Sequence, residues 1–122
     1  MRISSAESVV MEALWRNSPL SAEEIVAAIG DDQDWSDKTV KTLLNRLLTK
    51  KAVSAEREGR RYLYSPLIKR ATYVEDESRS LLDRLFDGRL APLVSHFAET
   101  KQLSKDDVAA LKRLLRKLDD GK

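Results

Sequence analysis

Between Trp35 and Tyr64 the stretch WSDKTVKTLLNRLLTKKAVSAEREGRRYLY gathers most of the side chains that could do chemistry. Lys38, Lys41, Thr42, Asn45 and Thr49 recur at helical spacing on one face, with Thr39 and Arg46 at its flank. Val40, Leu43, Leu44, Leu47 and Leu48 fall at i, i+3, i+4, i+7 and i+8 on the other, a single apolar stripe. The polar face carries cations, hydroxyls and one amide, with no acid after Asp37. Side chains of these kinds reach phosphates and base edges in a DNA major groove. A basic outer face is also what an ordinary solvated helix presents, so the neighbouring elements have to separate the two readings.

Other chemistries lack their residues. The sequence has no cysteine, which removes disulfides, thiolate catalysis and thiolate metal sites. His96 is the one histidine, and acids at helical spacing do not surround it, so no metal site is expected. There is no phosphate-cradling glycine loop, no histidine–acid pair beside a nucleophile and no pair of acids framed by apolar residues. Neither enzymatic activity nor a cofactor is expected.

The elements that must position the polar face are legible on either side of it. A first helix is expected from about Ser5 to Arg16, opened by Ser4 with Glu7 as a capping box, with Ala6, Val9, Val10, Ala13 and Leu14 buried. Asn17, Ser18 and Pro19 break it. A second helix starts at Ser21, with Glu24 completing another capping box, and stops at Gly30. The acidic run Asp31, Asp32, Gln33, Asp34 reads as a solvated loop. The third helix, which carries the polar face, takes Ser36 as its N-cap and ends near Lys50 and Lys51. Residues 53–58 and 61–65 read as two strands joined at Glu58-Gly59-Arg60, with Arg57, Arg60 and Arg61 at the tip. A helix of this kind followed by a basic hairpin is the pattern of a winged helix-turn-helix.

The candidate DNA-contact set is Lys38, Thr39, Lys41, Thr42, Asn45 and Arg46; Lys50 and Lys51 read as phosphate contacts or helix-end charges, and Arg60 and Arg61 as phosphate or minor-groove contacts. Trp15 and Trp35 read as core anchors. Tyr62 and Tyr64 either pack under the wing or offer a hydroxyl to phosphate. Charge distribution agrees with this placement. The net charge of +2 is small, but residues 1–35 carry two Lys/Arg against seven Asp/Glu, whereas residues 36–65 carry eight against three.

After Pro66 three amphipathic helices follow. The first, through Ala71, Val74, Ser78, Leu81 and Leu85, ends at Gly88. The second runs through Leu90, Leu93, Val94, Phe97 and Ala98. The third is capped by Ser104 with Asp107 and carries Val108, Leu111, Leu114, Leu115 and Leu118. The expected organisation is a mostly α chain with a small antiparallel β wing. Residues 1–66 form the winged helix-turn-helix and 67–122 a three-helix dimerisation domain. About 55 residues bury too little surface to be stable alone. A second copy would supply the missing core through Leu81, Leu85, Leu93, Phe97, Leu111, Leu115 and Leu118. The open alternative is that these helices fold back on the N-terminal unit of a monomer. No apolar run approaches 18 residues and the first residues lack a signal-peptide layout, so a cytoplasmic location without membrane insertion is the default.

Taken together, these residues resemble the penicillinase and methicillin-resistance repressors (the BlaI/MecI family) over nearly the whole chain. The resemblance is carried by Ala6-Glu7, by Val10-Met11 through Leu14-Trp15, and by Trp35-Ser36, Lys38-Thr39, Thr42-Leu43 and Arg46-Leu47. Glu58-Gly59-Arg60 before Tyr64 and Pro66 adds to it, as do Leu90 through Phe97 and Leu103-Ser104. It implies a homodimeric repressor on a dyad-symmetric operator before β-lactamase or related resistance genes. It also implies a membrane-bound sensor and inactivation by proteolysis in the dimerisation helices. The bond matching the family's cleavage position is His96-Phe97, where the best-known members have Asn before Phe. A copper-responsive branch of the same fold carries C-terminal cysteines, which this chain lacks. A winged-helix protein–protein or RNA-binding adaptor remains the rival class.

Overall fold

The computed structural model describes residues 2–30 and 33–120. The acidic residues Asp31 and Asp32 of the expected loop lie outside them. The elements run α1 (Ser5–Arg16), α2 (Ala22–Ile29), α3 (Asp37–Thr49), β1 (Val53–Glu58), β2 (Arg61–Pro66), α4 (Arg70–Phe86), α5 (Leu90–Glu99) and α6 (Lys105–Asp120). The chain is mostly α with one two-stranded antiparallel sheet, as expected.

Local chemistry starts each helix of the N-terminal unit. Ser4 Oγ accepts from Glu7 N at 3.1 Å while Glu7 Oε1 accepts from Ser4 N at 2.8 Å. Ser21 and Glu24 repeat the arrangement at 3.2 and 2.9 Å. Both are reciprocal capping boxes, each satisfying two amides that a helix start leaves unpaired. Ser36 Oγ accepts from Thr39 N and opens α3. Lysine, not glycine, ends that helix. Lys51 takes φ +61°, and the Lys51 and Ala52 amides return to Leu48 and Leu47 carbonyls.

The core lies between α1, α2, α3 and the root of the wing. Val10, Met11, Leu14, Ile25, Val40, Leu44 and Leu47 are fully enclosed, with Val53 and Tyr64 closing one side. Trp15 and Trp35 pack against this core. Two details differ from the sequence pattern. Met11 is fully buried whereas Val9 is only partly so, so the core-facing stripe of α1 takes in Met11 beside Val10, Ala13 and Leu14. Leu20, inside the expected break, pairs with Tyr64 through reciprocal amide–carbonyl bonds of 3.1 and 2.8 Å. This bridge anchors the wing to the start of α2. In the wing itself Glu58 pairs with Arg61, so Gly59-Arg60 is a two-residue turn with Gly59 at φ +63°.

The chain divides into two compact units, Met1–Val74 and Glu75–Lys122. The first includes the beginning of α4. In the second, α5 and α6 and the rest of α4 contribute no fully buried residue. Leu81, Leu93 and Leu111 are half-buried, and Phe97 is exposed. Leu85, Leu115 and Leu118 are 63, 62 and 68 % exposed, which leaves an apolar surface without cover. Helix α4 stops at Phe86, two residues before the expected Gly88, because Asp87 already turns to positive φ and the Gly88 amide bonds back to Leu82. No described helix is long and apolar enough to cross a membrane.

Candidate nucleic-acid interface

Helix α3 buries Val40, Leu43, Leu44 and Leu47 and turns Lys38, Thr39, Lys41, Thr42, Asn45, Arg46 and Thr49 to solvent. The stripe read from the sequence therefore separates the two faces correctly. Among the described residues, Lys38, Lys41 and Arg46 have no ion-pair partner, so their charges face outward uncompensated. The hydroxyls are already oriented. Thr42 Oγ1 donates to the Lys38 carbonyl at 3.0 Å, and Thr49 Oγ1 to that of Asn45 at 3.0 Å. Thr42 thus presents acceptor lone pairs and a methyl group outward, the groups that meet an amino donor or a thymine methyl in the major groove. Asn45, Arg46 and Thr49 with Thr42 and Lys50 line an open groove of about 380 Å³ along this face.

Lys50 is placed differently from the rest of the expected contact set. Its ammonium points back under α1, donating to the Arg2 carbonyl at 2.7 Å and to Glu7 Oε1. Glu7 is only 1 % exposed, so Lys50 supplies the counter-charge of a buried carboxylate. Burial alone would push the Glu7 carboxyl up, but the hydrogen bonds from Lys50 and Ser4 outweigh it and hold the group below the ordinary carboxylate range. This pair ties the N-terminus of α1 to the C-terminus of α3 across 43 residues, and no local sequence pattern announces it.

At the wing, Arg60 has no ion-pair partner among the described residues. Arg61 lies 3.4 Å from Glu58 and 3.8 Å from Glu24, so part of its charge is neutralised. Arg57 Nε donates to the Gly59 carbonyl and stiffens the turn. Tyr62 is exposed and Tyr64 buried, which resolves the alternation of the strand. Burial pushes the Tyr64 phenol up. Lys41, Arg60, Arg61 and Tyr62 meet Ala22 and Glu23 around a shallow notch of about 120 Å³ at the start of α2. Cations from α3 and the wing thus converge beside a helix N-terminus, an arrangement that favours an anion.

The penicillinase repressor family model matches residues 3–117. The chain belongs to that family. It is 36 % identical to the penicillinase repressor of Bacillus licheniformis over 114 residues, which is 93 % of this chain and 89 % of the relative. It is 31 % identical to the methicillin resistance regulatory protein MecI of Staphylococcus aureus over 115 residues, 94 % of each. Among solved structures, the DNA-binding domain of the repressor BlaI matches with a TM-score of 0.53 at 36 % identity, covering 59 % of this chain and 88 % of that one. Monomeric BlaI of Bacillus licheniformis in complex with the blaP half-operator matches at 0.51 and 36 % identity, covering 60 and 89 %. The Staphylococcus aureus regulator MepR shares the fold over 98 % of this chain at 20 % identity. Penicillinase repressors are DNA-binding transcriptional regulators and not enzymes.

Proposed function

We propose that this chain is a cytoplasmic, homodimeric repressor that binds a dyad-symmetric DNA operator before a β-lactamase or related resistance operon. The carrying observation is the outward face of α3, where Lys38, Lys41, Thr42, Asn45 and Arg46 are exposed and no acid intervenes. Arg46, Asn45 and Thr42 read base edges, Lys38 and Lys41 take flanking phosphates, and Arg60 and Arg61 take the backbone or an adjacent minor groove. Thr39 keeps to the helix start, with its amide held by Ser36. The uncovered leucines of α4 and α6 support the dimeric part of the reading. A half-operator contact made by one relative as a monomer supports the view that each unit reads one half-site.

Release follows from the same organisation. Cleavage at or near His96-Phe97, by a system responding to a membrane-bound sensor, would separate α6 from the rest of the second unit. The test is binding of the purified protein to duplexes from its own promoter region and to random duplexes across a salt series. A sequence-specific repressor prefers its own region by about 10³-fold or more and shows a steep salt slope. Equal affinity for both duplexes, or binding only to RNA or protein, would overturn the reading.

A further inference from the structure

Glu7 and Lys50 form a closed pair at the C-terminal end of the outward face of α3. Lys50 follows Arg46 by four residues and Thr42 by eight, so it continues the stripe that carries them. Its side chain lines the same groove as Thr42, Asn45, Arg46 and Thr49 and is 34 % exposed. By position it is a phosphate ligand like Lys38 and Lys41. Its ammonium is instead turned inward, onto Glu7 Oε1 and the Arg2 carbonyl.

The carboxylate has little else to balance it. Glu7 Oε1 takes the Ser4 amide and Lys50, while Oε2 is buried with no hydrogen-bond partner among the described residues. Lys50 is the one cation paired with this enclosed group among the described residues. A phosphate that drew Lys50 away would leave the buried charge uncompensated, and a buried pair that loses one partner is strongly destabilised. The capping role does not explain the charge, since glutamine serves at this position of a capping box as glutamate does. In the matching box of α2, Glu24 has a half-exposed side chain and meets a cation only at 3.8 Å. The enclosed charge at Glu7 is therefore matched to Lys50 and not to the cap.

We propose that Glu7 withholds the Lys50 charge from DNA, so that this end of the α3 face offers Asn45 and Thr49 to bases without adding a cation to sequence-independent binding. The proposal rests on the reading of α3 as the helix that meets DNA. Each cation placed on a phosphate strengthens binding to every sequence and adds about 0.9 to the salt slope. One contact withheld makes affinity about threefold less sensitive to a fourfold change in salt. Lys38, Lys41 and Arg46 have no such tie and supply the general attraction, whereas Lys50 is held out of it.

The probe is a random-sequence duplex, titrated at several salt concentrations with the full chain, Glu7→Gln, the double variant Glu7→Gln with Lys50→Gln, and Glu12→Gln, each checked for its fold by circular dichroism. Glu7→Gln keeps the cap acceptor and deletes the charge. It should steepen the salt slope by about one unit and raise affinity at low salt about threefold or more. The double variant removes the freed ammonium as well and should return to the slope of the full chain. Glu12→Gln makes the same change in net charge on the same helix, but beside Arg70 and the cleft between α1 and α2, and should leave the slope unchanged. Should Glu7→Gln lose its fold, the double variant carries the test, because a Lys50 that touches phosphate in the full chain would take about one unit of slope away with it. An unchanged slope in folded Glu7→Gln, a shallower slope in the double variant, or equal steepening in Glu12→Gln overturns the proposal. If the full chain binds no duplex in a salt-dependent way, the reading of α3 as the DNA-binding helix fails and the proposal with it.

Discussion

At the scale of single residues, the face proposed to read DNA and the buried ion pair beneath it have different origins. Thr42, Asn45 and Arg46 could be placed from spacing alone, because a period of 3.6 residues separates them from Leu43, Leu44 and Leu47. Arg46→Ala or Thr42→Ala should relax base preference and cost about 1–3 kcal/mol per lost base contact. Footprinting and competition with single-base operator variants check this, and a wild-type pattern would reassign the reading face. Lys50 and Glu7 were not legible in the same way. Lys50 stands at the end of a basic helix and Glu7 inside a capping box, and each has a sufficient local explanation. Only the fold brings them together under α1. Glu7→Gln should lower stability near neutral pH by about 2 kcal/mol, the scale of a charged hydrogen bond lost from a buried site. The pH dependence follows from the lowered carboxyl. Its contribution is complete above the unfolded carboxylate range, about pH 4–5, and disappears as pH falls through the lower folded value. Denaturant titrations at neutral and acid pH should show the gap between wild type and Glu7→Gln closing in acid. A gap that stays constant would mean the carboxylate is not held by its charge.

At the scale of elements, helix starts were the most legible feature, since Ser4, Ser21, Ser36 and Ser104 each precede their helix and accept a hydrogen bond from the amide three residues on. Of the ends, those of α2 at Gly30 and α3 at Lys50 and Lys51 fell where expected, but α4 stops at Phe86 because Asp87 already takes the left-handed region where glycine is the usual signal. The Leu20–Tyr64 bridge was invisible to pattern because a single pair of backbone bonds needs no side-chain period. That bridge bears on the wing. It roots β2 beside α2 and holds Arg60 and Arg61 near Lys41. Arg60 lacks an ion-pair partner among the described residues, whereas Arg61 is shared between Glu24 and Glu58. The two should therefore differ. Arg60→Ala should weaken binding uniformly across sequences and reduce the salt slope by about one unit, and Arg61→Ala by less. Affinities measured from low to physiological salt separate the two. A change in base preference on loss of Arg60 would place it in a groove instead of on the backbone.

At the scale of the whole molecule, the argument turns on what the second unit lacks. Its leucines were assigned from periodicity, and none of its helices encloses a residue fully. This permits a clean test of dimerisation, because Leu115 is exposed in a single chain and a charge there has nothing to disturb unless a partner covers it. Leu115→Asp should leave each chain folded, shift sedimentation from dimer to monomer, and weaken operator binding by about 10²-fold or more through loss of linkage. Unchanged sedimentation would refute a seam through α6. The same shortage of buried contacts bears on release. A protease needs an extended backbone, so α5 has to open locally before His96-Phe97 can be cut. That opening is inexpensive in a ten-residue helix with no fully buried side chain and no side-chain hydrogen bond at its N-cap. Once cut, the chain loses Phe97 and all of α6, and the remaining stripes of α4 and α5 have too little to pack against. No ligand is required by this sequence of events. Purified protein on its operator should therefore keep its DNA when β-lactam is added without a sensor. Mass spectrometry of the protein from induced cells should find a new end at or near His96-Phe97. Release by the drug alone would replace proteolysis with a small-molecule site. An intact chain in cells that have lost repression would move the switch elsewhere in the molecule.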